Sequence, residues 1–72
     1  MRSGRMAKSV ALDGGYQIEV GQRLGPTSRV RSIQAVPLGG QMLEIHVVLG
    51  DDTERDYLAC GSYLVLWMPE AL

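Results

Sequence analysis

The densest group of side chains that could carry out chemistry is the acidic segment 51–56, which reads Asp-Asp-Thr-Glu-Arg-Asp. Carboxylates can bind Ca²⁺, or they can act in pairs as general acid and base. An EF-hand loop needs oxygen ligands at alternate positions, a central glycine and a terminal glutamate, and the segment lacks this pattern. In a β-hairpin Asp52, Glu54 and Asp56 would share one face. We therefore predict a solvated acidic edge without a metal ion, which discourages sheet-to-sheet aggregation.

A second possible chemistry is nucleophilic catalysis by Cys60 with His46 as its base. Such a pair needs close approach, a third group that orients the histidine and an oxyanion donor, and no local motif supplies these. We expect Cys60 to be a small buried hydrophobe and His46 to be solvated beside Glu44. The glycine pairs 14–15 and 39–40 lack the spacing of phosphate-binding loops. The sequence thus predicts no catalytic residues and no cofactor, and an enzyme would need a pocket built between subunits.

Three arginines form the best candidate for an anion-binding face. Arg29 and Arg31 fall on one face of a predicted strand, and Arg23 lies in the preceding loop. Cations grouped in this way can bind the phosphates of nucleic acid. However, single-strand binders usually add aromatic residues on which bases stack, and none is adjacent to Arg29 or Arg31 in the sequence. The formal net charge of −1 is also unlike the basic charge of typical nucleic-acid-binding domains.

Charge is distributed unevenly along the chain. Residues 1–36 carry six basic and two acidic side chains, whereas residues 37–72 carry one basic and six acidic side chains. Opposite charges on neighbouring strands stabilise a sheet, so mutual neutralisation is the favoured interpretation. A basic face for an anionic partner is the alternative.

The length of 72 residues predicts one domain with a small core. A hydrophobic fraction of 46% is typical of a folded chain. One cysteine cannot form an internal disulfide, and one cysteine with one histidine cannot supply four zinc ligands. Stability must therefore come from packing or self-association. No apolar run approaches the ~18 residues of a membrane span, and a lone thiol without an export signal predicts a cytoplasmic location.

Between the turn signals, apolar and polar residues alternate with a period of two, which is typical of β-strands. Such strands would position the acidic, histidine, cysteine and arginine side chains described above. In residues 28–36 the alternation breaks, and a bulge near Ser32 would turn Val30, Ile33 and Val36 inward. We expect Pro37 to end that strand because it lacks a ladder donor. The predicted strands are residues 10–12, 16–20, 28–36, 42–49, 53–60 and 63–68.

These segments predict an all-β fold: a small single-domain barrel or rolled antiparallel sheet of five or six short strands, for which an SH3-like or Sm-like barrel fits best. We expect residues 1–8 to be a flexible basic N-terminus and residues 9–72 to be the β domain.

Tyr16, Ile18 and Val20 share one face of the second predicted strand. A short C-terminal helical turn beginning at Ser62 is possible, although Pro69 limits its length. The predicted core contains Ile18, Val30, Leu43, Ile45 and Val47.

Residues 63–68, Tyr-Leu-Val-Leu-Trp-Met, are apolar on both faces of the strand that they would form. Only one face of a barrel strand lies in the core, so some of these side chains must point outward. Monomers rarely leave large apolar patches bare. We therefore predict a homodimer, unless a C-terminal helical turn covers the patch. The predicted contact residues are Leu64, Leu66, Trp67 and Met68, extended by Met42 and Val48.

The favoured function is that of a small, non-catalytic protein-interaction domain, which self-associates or binds an unidentified partner protein. The alternative is a small β-barrel nucleic-acid-binding protein that uses Arg23, Arg29 and Arg31. We expect neither function to involve a membrane.

Overall fold

The computed structural model describes residues 4–26 and 28–69, and every helix or strand in this part of the chain is a β-strand. The all-β fold predicted from the alternation is therefore confirmed. The strands are β1 (Arg5–Leu12), β2 (Gln17–Glu19), β3 (Val30–Gly39), β4 (Met42–Leu49), β5 (Glu54–Cys60) and β6 (Tyr63–Trp67).

The strands form one antiparallel sheet in the order β2-β1-β3-β4-β5, and β6 pairs with the other edge of β1. The first residues of β1 pair with β3, and its residues from Ser9 to Ala11 pair with β2. The sheet curls into a half-barrel that measures 35 × 35 × 19 Å along its principal axes. Among the described residues β5 pairs only with β4, and β6 pairs only with β1. β5 and β6 are therefore edge strands of the described sheet, as is the three-residue β2, which pairs only with β1 there.

Short turns with left-handed residues connect neighbouring strands. Gly14 and Gly15 both have positive φ, at 93° and 89°, between β1 and β2. Glycine adopts this conformation without the strain that a Cβ would cause. Gln41 and Asp52 adopt φ of 63° and 67° in the turns on either side of β4. The chain can therefore run mainly as successive hairpins, which bring sequence neighbours together in the sheet.

The core occupies the concave inner face of the half-barrel. All five residues predicted for it are at most 2% exposed, so the predicted core residues are confirmed. β4 is central and contributes most, because alternate side chains along its eight residues point inward. The buried apolar residues are Ala7, Val10, Ile18, Val30, Ile33, Ala35, Leu43, Ile45, Val47 and Leu49.

The bulge predicted near Ser32 is present, because the pairing of β3 with β4 shifts register between Val30 and Ser32. Val30 and Ile33 are buried as expected. Val36 does not point inward as predicted, because alternation resumes after Ile33 and buries Ala35 instead. The expectation that Pro37 ends the strand is also wrong, since β3 continues to Gly39.

The first and the last strand of the described chain differ from those that the sequence predicts. β1 begins at Arg5 rather than after residue 8, because residues 5–7 find ladder partners on β3 and Ala7 enters the core. Residues 63–67 form a strand instead of a helical turn, because the free edge of β1 supplies their partners. Residues 1–3 of the expected N-terminal segment, and residues 70–72, lie outside the described residues.

Candidate interaction surfaces

The outer face of β6 exposes two leucines. Leu64 and Leu66 are 64% and 55% exposed, because alternation turns Tyr63, Val65 and Trp67 inward against the core. The next side chain with the same parity is Met68, which is also exposed. β6 and the residue that follows it therefore present a row of three apolar side chains to solvent.

This row continues onto the start of β1. The backbone N–H of Met68 donates to the carbonyl of Met6 at 3.0 Å, and the Met6 side chain is 45% exposed. Met6, Val20 and Met68 together line a groove of about 300 Å³, with Arg31 also in its lining. The groove lies where the partner of β1 changes from β3 to β2. We call Met6, Val20, Leu64, Leu66 and Met68 the apolar patch.

Three of the predicted contact residues lie in the apolar patch and three do not. Leu64, Leu66 and Met68 lie in it, whereas Trp67 points to the inner face and the Arg5 guanidinium lies 4.9 Å from its ring centroid. Met42 and Val48 are half-buried on the outer face of β4. The sheet order places β3 and β1 between β4 and β6, so these two residues do not extend the patch.

Sequence reasoning missed Met6 and Val20 as patch residues. Met6 belonged to the segment assigned to a flexible N-terminus, although it alternates with the buried Ala7 in β1. Val20 was expected to face inward with Ile18, but β2 ends at Glu19, and the side chain of Val20 is 39% exposed. The alternation of Met6 with Ala7 was a usable signal, whereas no pattern in the sequence marked the end of β2.

The three arginines of the predicted anion-binding face have different contacts in the structure. Arg23 and Arg29 lie directly opposite each other in an isolated antiparallel bridge, and both are exposed. Arg29 Nη1 donates to the carbonyl of Gly21 at 3.1 Å. Arg31 instead forms an ion pair with Asp52, with Nη1 2.5 Å from Oδ1. Neither Arg23 nor Arg29 has an ion pair with the described residues, so no carboxylate in this part of the chain offsets these two like charges.

The acidic segment is exposed, as predicted, but its carboxylates have partners. Nε2 of His46 lies 2.8 Å from Oε1 of Glu54, and Nδ1 of the same ring contacts Oδ1 of Asp56. Of these contacts and the Arg31–Asp52 pair, only the latter joins the basic first half of the chain to its acidic second half as expected, because His46, Glu54 and Asp56 all belong to the second half. Among residues 4–26 and 28–69, no three His, Cys, Asp or Glu side chains are arranged to hold a metal ion.

Cys60 and His46 are not positioned as a nucleophile and its base. His46 lies opposite Asp56, whereas Cys60 lies opposite Met42, four residues further along the strand. Four residues of strand span about 13 Å, which is far beyond hydrogen-bonding distance. Cys60 is also exposed, contrary to its expected burial, because it points to the outer face of the edge strand β5.

The two carboxylates raise the pKa of His46 above its usual value of 6.5, chiefly through the hydrogen bond to Asp56. A folded-state pKa above the unfolded one stabilises the protein at low pH, and this contribution disappears as pH rises through the folded pKa. We expect the free energy of unfolding to be lower at about pH 8.5 than at about pH 6. The difference should be small because both carboxylates are solvent-exposed.

Urea unfolding at the two pH values measures this difference. In His46→Gln, which cannot titrate, the unfolding free energy should lose most of its pH dependence over this range. An equal pH dependence in the parent and in His46→Gln would contradict the prediction.

No family model, no curated protein and no solved structure matches this chain. No helix long and apolar enough to cross a membrane occurs in the described part of the chain.

Proposed function

We propose that this protein is a small, non-catalytic interaction domain that self-associates through the apolar patch. The observation that carries the proposal is the exposure of Leu64 and Leu66 on a strand whose other face packs against the core. An exposed leucine is ordinary by itself, but a contiguous apolar group on one side of a monomer is unusual. Three further exposed apolar side chains adjoin these leucines in the apolar patch.

The small size of the domain supports the same proposal. A chain of this length buries a modest share of its surface, and such domains often gain stability from a partner. Cys60 is the only cysteine, so no disulfide within the chain substitutes for that partner. We further propose that the protein is cytoplasmic, where thiols stay reduced. We also propose that its barrel is SH3-like or Sm-like.

Sedimentation equilibrium of the parent protein tests the proposal. We expect a dimer at about 0.1 mM, which is 100 times a micromolar dissociation constant. A monomer at that concentration would overturn the proposed self-association. Binding of an unrelated partner protein would then be the remaining interaction function.

A second candidate function, nucleic-acid binding, is favoured by the opposed pair Arg23 and Arg29. Like charges directly across a strand pair destabilise a sheet, and a bound phosphate would relieve this repulsion. Arg31 contributes less to this candidate than the sequence implied, because Asp52 neutralises it. The acidic net charge of the chain still favours the interaction domain.

Fluorescence anisotropy with a labelled single-stranded oligonucleotide tests this alternative. If it is correct, replacing both Arg23 and Arg29 with Ala should remove about two phosphate contacts. The slope of log affinity against log salt should then flatten by about 1.4. Arg55→Ala, which removes an exposed arginine from β5, is the matched control and should leave binding unchanged. No binding by the parent at low salt would remove the alternative.

A further inference from the structure

β6 is an edge strand whose outward backbone groups have no partner among the described residues. The N–H of Asp13 donates to the carbonyl of Ser62, and the N–H of Met68 donates to that of Met6, both at 3.0 Å. The N–H and C=O of one residue point the same way in an antiparallel strand, and this direction alternates along the chain. The backbone groups of Tyr63, Val65 and Trp67 therefore point away from β1, towards the open edge.

The edges along β5 and β6 differ in how they are protected. The outward backbone groups of β5 belong to residues 54, 56, 58 and 60, because Thr53 and Gly61 hydrogen-bond back towards β4. Two of these residues, Glu54 and Asp56, carry acidic side chains that discourage strand addition. β6 has no charged residue in its five positions. An uncharged, apolar edge of this kind is a site at which another strand can add to a sheet.

The sequence of β6 is nearly symmetric about Val65. In an antiparallel pair centred on that residue, Val65 meets Val65, Tyr63 meets Trp67, and Leu64 meets Leu66 of the second strand. The residues with outward backbone groups then face one another, so about six hydrogen bonds can form. Aromatic pairs fall on the inner face and leucine pairs on the outer face, and both kinds stabilise antiparallel strands. β6 is therefore complementary to itself in both backbone and side chains.

We propose that β6 pairs with β6 of a second copy of this chain, antiparallel and centred on Val65, so that two half-barrels join into one continuous sheet. This inference rests on the proposed self-association and specifies its geometry. The contact is isologous, so a two-fold axis closes the assembly at a dimer. A net charge of −1 per chain opposes the contact only weakly. A five-residue strand pair is small beside the roughly 800 Å² per partner of a typical stable interface, which favours micromolar affinity.

Val65→Pro tests the backbone pairing, because the lost N–H points away from β1. Proline is tolerated where its missing donor faces the open side of an edge strand. We expect Val65→Pro to remain folded by circular dichroism and to sediment as a monomer at about 0.1 mM, a loss of affinity of at least 100-fold. Leu58→Pro, the matched change at an outward position of β5, should still dimerise. Dimerisation of Val65→Pro as strong as that of the parent would overturn the inference.

A cysteine cross-link provides a second test that does not depend on the proline variant folding. In a Cys60→Ser background, Val65→Cys places two thiols across the two-fold axis. Directly opposed Cα atoms of a hydrogen-bonded pair lie about 5.5 Å apart, within the range for a disulfide. Mild oxidation should convert Val65→Cys to a covalent dimer, whereas Leu58→Cys in the same background should stay monomeric on a non-reducing gel.

The outcomes separate this inference from the function on which it rests. A monomeric parent overturns the proposed self-association and the strand pairing together. A dimeric parent in which Val65→Cys fails to cross-link overturns the strand pairing alone, and leaves association through the outer face of the apolar patch. Equal cross-linking of Val65→Cys and Leu58→Cys would also overturn the self-pairing of β6. A dimeric parent with selective cross-linking at Val65 supports both.

Discussion

Replacing Ile45 with Ala is expected to lower the free energy of unfolding by about 2–5 kcal/mol, as other large-to-small changes in cores do. Ile45 is 1% exposed at the middle of β4, where it lies opposite Ala35 on β3 and Tyr57 on β5. Strands on both sides limit how far the surroundings can collapse into the cavity. For so small a domain, this loss is a large fraction of the total stability.

Urea unfolding followed by the fluorescence of Trp67, the only tryptophan, measures this loss. The comparison needs a single protein concentration, because dimerisation stabilises the folded state by mass action. Ile45→Val removes one methyl group and should cost about 0.5–1.5 kcal/mol, which keeps the test informative if the alanine variant does not fold. Val48→Ala, on the outer face of the same strand, should cost less than Ile45→Ala. A loss below about 1 kcal/mol for Ile45→Ala would show that the inward phase of β4 is wrong.

Replacing Leu64 and Leu66 with Glu is expected to convert the dimer to a monomer while the fold is retained. Both side chains are more than half exposed in the single chain, so two carboxylates there remain solvated and cost the monomer little. In the dimer each new carboxylate would lie against apolar side chains or another carboxylate of the second copy. An unpaired charge buried at an interface costs several kcal/mol, which corresponds to a loss of affinity of at least about 100-fold.

Sedimentation equilibrium beside the parent protein measures this change, and circular dichroism checks the fold. Leu58→Glu is the matched control, because Leu58 is 58% exposed on the outer face of the other edge strand, β5. That variant should dimerise as the parent does. If Leu58→Glu abolishes the dimer and the double variant does not, the interface lies on β5 and the assignment to the apolar patch is wrong.

Local pattern was enough to predict the strands of the central hairpins. β4 has four inward apolar side chains in strict alternation, so its buried face follows from period two, and the turn-forming residues at both ends mark its bounds. The bulge in β3 was also predictable, because Val30 and Ile33 fall on opposite parities and both are strongly apolar. Which of Ala35 and Val36 points inward was not predictable, because a small residue and a larger apolar residue compete for one inward position.

The sequence by itself determined the fold class, the core of β4 and the presence of surplus apolar residues in 63–68. The tertiary structure decided what those residues do, because the partner of β6 is β1, about 55 residues away in the chain, and no local pattern encodes such a pairing. That pairing sets Met6 beside Met68, leaves Trp67 inside and separates Met42 and Val48 from the leucines. It also leaves one edge of β6 open. A strand has two edges and two faces, and only the fold determines which of them remain free.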